Sequence, residues 1–207
     1  MNRLLSGAVA VAGSLVMMGG IVAAATPAGA APKPPPTPSA WGAEANGPLM
    51  LPPVALATPM NTPAVASNAN IGGLLTTGSI LDRVSPTAGF SMVSSPLVTL
   101  RTRILGRIYT WISADRAAST CRSVGPLTFG SVDLPNAVIK TTLGGTISLP
   151  VHPVRNTVIN LGPVTRVVLN RQTFRRGVRT VTAVHVRYGL QRVNIAVTTC
   201  GRPREDG

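Results

Sequence analysis

The chain reads as an all-β protein, and three observations point that way. Near its end, TRVVLNRQTF, VRTVTAVHVRY and RVNIAVTTC alternate in steps of two and are rich in β-branched side chains. The separators between them, RRG at Arg175–Gly177 and YGLQ at Tyr188–Gln191, have the length of hairpin turns. Aromatic residues make up only 3% of the chain, so the core has to be built from Val, Leu, Ile and Ala. The expected architecture is an antiparallel sandwich or barrel-like domain ending in a three-stranded meander, with one buried and one wetted face.

Taken in order, the chain opens with a leader. Arg3 precedes the apolar run LLSGAVAVAGSLVMMGGIVAAA, and TPAGAAP follows, placing Ala28 and Ala30 in an A-x-A pattern. A charged start, an apolar middle and small residues before a cut site predict a signal peptide over residues 1–30, cleaved after Ala30. The alternative is an uncleaved anchor, since Leu4–Ala25 is nearly long enough to span a bilayer. No cysteine follows the run to carry a lipid, and no later segment is long and apolar enough to cross a membrane as a helix. The expectation is a secreted, extracellular protein with no transmembrane anchor after cleavage. Residues 31–42, APKPPPTPSAWG, predict an extended proline-rich spacer. Residues 43–201 are long enough for one domain with a real core, and 202–207 form a charged tail.

Within the domain, NGPLMLPPVALATPMNTP holds too many prolines for a central strand and belongs at an edge or in a loop. ASNANIGGLLTTGSILDRVS and TAGFSMVSSPLVTLRTRIL read as short strands broken at Gly-Gly and Ser-Pro. RIYTWISADRAASTC fits a strand or a short amphipathic helix. Alternation of Ile108, Thr110, Ile112 and Ala114 against Tyr109, Trp111 and Ser113 favours the strand. In the meander, strict alternation puts Val167, Leu169 and Thr173 on one face of the first strand. It puts Val184 and Val186 with Thr180 and Thr182 in the second, and Val193 and Ile195 with Val197 in the third.

The order of IGGLLTTGSILDRVSPTAGFSMVSS, ILGRIYTWISADRAASTC, TTLGGTISLPVHPVRNTVINLGPVTRVVLNRQTF and TVTAVHVRYGLQRVNIAVTTC resembles the choice-of-anchor P family of actinobacterial secreted proteins. The resemblance covers nearly the whole domain and rests on pattern and spacing. It implies a β-rich, envelope-facing module with no established catalytic activity. Family members are grouped partly by varied C-terminal anchors, and GRPREDG after Cys200 does not resemble one.

The two cysteines of an exported chain most simply form a disulfide, here Cys121–Cys200, closing a loop worth roughly 4–5 kcal/mol. A reactive or metal-binding thiol would need a partner base or further ligands. His152 and His185 are the only histidines, and neither occurs in an H-x-x-x-H, C-x-x-C or G-x-S-x-G setting. The domain holds four carboxylates, Glu44, Asp82, Asp115 and Asp133; no spacing pairs two of them for hydrolysis, and Asp115–Arg116 reads as a local ion pair. No catalytic residue, metal site or cofactor is expected.

Charge is what remains. The full chain carries 19 basic against 6 acidic residues, a formal net charge of +13. The arginines gather as Arg101, Arg103 and Arg107, then as Arg155, Arg166, Arg171, Arg175, Arg176, Arg179, Arg187 and Arg192. Strict alternation puts Arg166, Arg179, Arg187 and Arg192 on the exposed face of the meander, with Arg175–Arg176 at a hairpin tip. Such a surface attracts anionic cell-wall polymers or lipid headgroups, or it serves only solubility. Nucleic acid is not expected, because stacking aromatics are nearly absent. Arg175, Arg176, Arg179, Arg187 and Arg192 are the candidate ligand contacts of a non-enzymatic, envelope-associated protein. The alternatives are an enzyme acting on an envelope polymer and an outer-membrane-type barrel, the latter opposed by missing aromatic girdles and by prolines in several strands.

Overall fold

A computed structural model of the chain describes residues 38–102, 108–142 and 144–201. The expected signal peptide, residues 31–37 of the expected spacer, Arg103, Arg107 and the expected tail 202–207 lie outside the described residues.

The fold is all-β. Its strands run β1 (Ser39–Asn46), β2 (Leu51–Val54), β3 (Ala64–Ser67), β4 (Asn70–Ile71), β5 (Leu75–Thr76) and β6 (Ser79–Ser85). They continue as β7 (Ala88–Ser94), β8 (Leu97–Thr102), β9 (Ile108–Ser113), β10 (Arg116–Val124), β11 (Leu127–Asp133) and β12 (Val138–Thr141). The last are β13 (Thr146–Ser148), β14 (Thr157–Asn160), β15 (Thr165–Arg175), β16 (Val178–Tyr188) and β17 (Gln191–Gly201). The expected meander is β15–β16–β17, joined by the two expected hairpins. The proline-bearing β2 sits on a sheet edge, where a missing N–H does least harm. RIYTWISADRAASTC forms two strands, β9 and β10.

Three antiparallel sheets result, ordered β14-β15-β16-β17-β1-β2, β11-β10-β7-β6-β3 and β13-β12-β9-β8-β5-β4. The second and third are one layer interrupted by a crease, because each strand of the second runs on in sequence into its counterpart in the third. Backbone bonds bridge the crease, Gly78 N–H donating to Ser94 O at 2.9 Å and Ser95 N–H to Asp115 O at 2.7 Å. Left-handed backbone at Asn68, Ser95 and Asn136 turns the chain there. The first sheet covers this layer, with β10 and β7 against β17, β11 against β16, and β6 against β1. All three sheets are open-edged, which makes the fold a sandwich rather than a closed barrel.

The core is aliphatic. Val167, Leu169, Val184, Val186, Val193 and Ile195 of the first sheet share one cluster with Leu75, Val98, Leu100, Ile112 and Ile139 of the third. Burying each such side chain stabilises the fold by about 1.5–3 kcal/mol. The Cys121–Cys200 disulfide ties β10 to β17 across the layers, with a Cα–Cα distance of 5.5 Å and a sequence separation of 79.

Two expectations are corrected. First, β1 begins at Ser39, so Ser39–Gly42 belong to the sheet and not to a spacer ending at residue 42. The last proline of the run is Pro38, and from Ser39 every residue can donate to a ladder; Ser39 stands opposite Thr199. Second, strict alternation fails halfway along the meander. Gly42, Ala196, Ala183 and Asn170 form a row across four strands without ladder partners, and Ala196 and Asn170 have left-handed φ of 51° and 49°. Each strand changes phase at this row. Below it Val193 and Ile195 face inward; above it Thr198 and Cys200 do, and Ser119 Oγ lies 3.3 Å from Thr198 Oγ1. A side chain at Gly42 would strike Ile80 of the facing layer, so β1 needs a glycine in this row.

Candidate functional site

The phase change builds the outer face of the first sheet. One row across β15, β16, β17 and β1 is Arg166, Arg187, Arg192 and Asn46, each directly opposite the next. The next is Val168, His185, Asn194 and Glu44. Beyond the partnerless row come Arg171, Thr182, Val197 and Trp41. Arg166, Arg171, Arg187, Arg192, His185 and Asn194 line a single hollow of about 770 Å³ on this face.

Three arginines in direct cross-strand register repel one another, a cost the sheet does not recover internally. Among the described residues Arg116 pairs with Asp133, the His152 ring lies 3.6 Å from the same carboxylate, and neither contact involves the groove. Burial, then the fields of Arg192, Arg175 and Arg166, lowers the proton affinity of the Arg171 guanidinium, while Glu44 raises it. The guanidinium keeps its charge at any ordinary pH. Arg187 Nε donates to Gly189 O of its own turn at 3.4 Å.

The middle row holds a hydrogen-bonded chain. Asn194 Nδ2 donates to Glu44 Oε1 at 2.5 Å, and Asn194 Oδ1 lies 2.6 Å from His185 Nδ1. With the amide NH₂ committed to the carboxylate, its oxygen must accept from the ring, which fixes His185 as the Nδ1–H tautomer and leaves the lone pair on Nε2. Burial lowers the His185 pKa; the Asn194 bond opposes this, while Arg171, Arg192 and Arg166 add to it. Burial raises the Glu44 carboxyl, against the Asn194 bond, the Trp41 indole and Arg171. The Trp41 N–H is near enough to act on Glu44 but completes no well-formed hydrogen bond. An amide between acid and base orients both groups and passes no proton between them.

Of the residues expected to contact ligand, Arg187 and Arg192 stand in the groove. Arg175 and Arg176 lie at the β15–β16 turn, Arg176 with a left-handed φ of 47°, and Arg175 is close enough to act on Arg171. Arg179 is on the opposite face from His185 and Arg187. Its Nε donates to Thr128 Oγ1 of β11 at 2.9 Å and its Nη1 to Gln172 Oε1 at 2.6 Å, so it bridges the layers. The phase change at Ala183 is the reason. Asp115 also departs from expectation. It accepts from Asn136 Nδ2 at 2.6 Å, and the partner of Arg116 is Asp133, the residue directly opposite its neighbour Ala118 in the ladder.

Arg171 is the groove residue that alternation hides, since it falls in phase with Val167 and Leu169. An arginine at a core-phase position directly after an asparagine is itself the signal of a bulge, because asparagine tolerates left-handed backbone. The carboxyls are spread apart: Glu44 on the outer face of the first sheet, Asp82 fully buried, Asp133 in a hollow with His152 and Phe90 on the second. Among the described residues no group of three or more His, Cys, Asp or Glu could hold a metal ion. No family model, no curated protein and no solved structure matches the chain.

Proposed function

We propose that this is a secreted, non-enzymatic β-sandwich that associates with the cell envelope by binding anionic groups in its arginine groove. The observation that carries this reading is the row Arg166–Arg187–Arg192 together with Arg171 in the same hollow, four cations on one concave face with no ion-pair partner among the described residues. Guanidinium groups recognise phosphate and carboxylate through paired hydrogen bonds, and a repeating anionic polymer would engage several at once. An anion bound there would offset the mutual repulsion of the row.

The test is binding of a soluble glycerol-phosphate polymer across a salt series. Affinity should fall steeply with salt, and replacing Arg166, Arg171, Arg187 and Arg192 by Gln should abolish binding. Replacing Arg175 and Arg176 by Ser should weaken it less. Binding that survives the fourfold change would overturn this assignment of the site.

Catalysis on an envelope polymer has one observation in its favour, the orientation of His185 by Asn194 inside the groove. Incubating the same polymer with the protein and measuring chain length separates the two readings. Shortening that disappears in His185→Gln would replace binding with hydrolysis.

A further inference from the structure

Beside the arginine groove, at the end of the sandwich where the β16–β17 hairpin turns, lies a second cavity of about 660 Å³. Its walls are mostly apolar: Leu49, Gly73, Leu74, Val164, Tyr188 and Leu190. The volume suits a small-molecule site. Around its mouth the chain exposes more hydrocarbon than a solvated rim needs. Leu190 is 83% exposed, with Leu49 and Val164 also exposed.

The cavity is preformed. Gln191 is buried, and its side chain clamps the β1–β2 loop as a strand would, Oε1 accepting from Leu49 N–H at 2.9 Å and Nε2 donating to Leu49 O at 2.8 Å. Gly47, at a φ of 135°, lies so close to Leu190 O that no side chain fits. Gly189 N–H donates to Val164 O at 2.9 Å and fixes the opposite wall.

What selects the ligand is continuity. A smaller hollow of about 440 Å³ shares Val164, Gly189 and Leu190 with the apolar cavity, and shares Arg166 and Arg187 with the arginine groove. The three hollows therefore follow one another around a single hairpin tip, with hydrocarbon walls at one end of the series and two adjacent guanidinium side chains at the other. A soluble polyanion has no use for the first half, and a neutral apolar molecule has none for the second.

We propose that this hairpin end binds an anionic amphiphile, its hydrocarbon chain in the apolar cavity and its phosphate or carboxylate on Arg166 and Arg187. The inference rests on the anion-binding reading for its head group and adds the identity of the ligand, a lipid rather than a bare polymer. The exposed Leu190 and Val164 would reach into the hydrocarbon boundary as the bound lipid is taken from a bilayer.

The test uses the oxidised protein and three probes below their micelle concentrations, with affinity measured by titration calorimetry. These are monoacyl phosphatidylglycerol, its deacylated head group glycerophosphoglycerol, and monoacyl phosphatidylcholine. The soluble glycerol-phosphate polymer serves as the control for the groove alone. Monoacyl phosphatidylglycerol should bind about tenfold or more tighter than either the deacylated head group or the zwitterionic lipid. Leu190→Ser and Val164→Ser, both at exposed positions, should remove that preference and leave polymer binding intact. Equal affinity for acylated and deacylated probes, with polymer still bound, would overturn the lipid inference and leave the anion groove standing. Equal affinity for the two monoacyl lipids would overturn the head-group assignment. Failure to bind the polymer or any anionic probe would overturn both readings.

Discussion

Arg187 stands directly opposite Arg192 across β16 and β17, and Arg166 stands directly opposite Arg187 on its other side. Like charges so placed destabilise a sheet by about 0.2–1 kcal/mol per pair. Arg187→Gln should therefore raise folding stability by up to about 1 kcal/mol at low salt, with the gain shrinking as salt screens the row. The same change should weaken polyanion binding. Urea midpoints for the two proteins at low and high salt measure the first effect. A variant less stable at every salt concentration would mean that the row is not repulsive.

The disulfide closes a 79-residue separation between β10 and β17. Chain-entropy considerations give roughly 4–5 kcal/mol for a loop of that size. Both sulfurs are wholly buried, so reduction should need unfolding or strong denaturant. The paired change of Cys121 and Cys200 to Ala should lower the thermal midpoint by well over 10 °C, by about 4–8 °C per kcal/mol for a small domain and somewhat less at this size. A shift of only a few degrees would show that the aliphatic core sets stability alone.

The strands of the meander, their hairpins and the disulfide were legible because each is written locally: β-branched alternation, turn-length separators, and two cysteines in one chain. The creases were not. Asn68, Ser95 and Asn136 interrupt one layer, and Gly42, Ala183, Ala196 and Asn170 shift the phase of the other. Alanine at a left-handed φ carries no propensity signal, so Ala196 could be found only through its consequence. Ile195 and Cys200 are five residues apart, yet both face the core, which strict alternation forbids. Part of the arginine site was legible for the same reason. Arg187 and Arg192 lie on the near side of the phase change, where alternation holds; Arg179 lies beyond it, and Arg171 is brought into the groove by it. Glu44 and Asn194 gave no sequence signal, since their pairing joins residues 150 apart.

Asn170 offers a direct test of the phase change. Its φ is 49°, its Nδ2 donates to Pro153 O at 2.8 Å, and its Oδ1 accepts from Gln172 Nε2 at 2.8 Å. Asn170→Gly keeps the backbone free and loses the two bonds, a cost of about 1–3 kcal/mol. Asn170→Val adds a β-branched side chain in left-handed backbone and should cost about 1–2 kcal/mol more. The Val variant should also bind polyanion less well, because Arg171 loses the turn that aims it outward. Equal stability of the two variants would mean that the left-handed residue is not required.

The last prediction concerns Asp82, whose side chain is fully buried between β6 and β1 with neither oxygen in a well-formed hydrogen bond. Ser91 Oγ lies nearby but donates to Trp41 O at 3.0 Å. Burial pushes the Asp82 carboxyl up to about 7 from 3.8, only partly offset by the Ser91 hydroxyl and the Gly42 backbone. Between those two values the folded protein holds a proton that the unfolded chain has released. Stability from this group is complete below about pH 4, falls as pH rises toward 7, and is flat above it. His185 acts with the opposite sign. Burial lowers its pKa from 6.5, so its contribution is complete above that value and is lost on acidification. Asp82→Asn should therefore stabilise the protein at pH 8 by a few kcal/mol and have almost no effect at pH 4. His185→Gln should matter only on the acid side. Unfolding free energies of the three proteins from pH 4 to 8 decide the matter. A constant difference between Asp82→Asn and the parent across that range would show that the carboxyl titrates alike in both states, and that some hidden partner satisfies it.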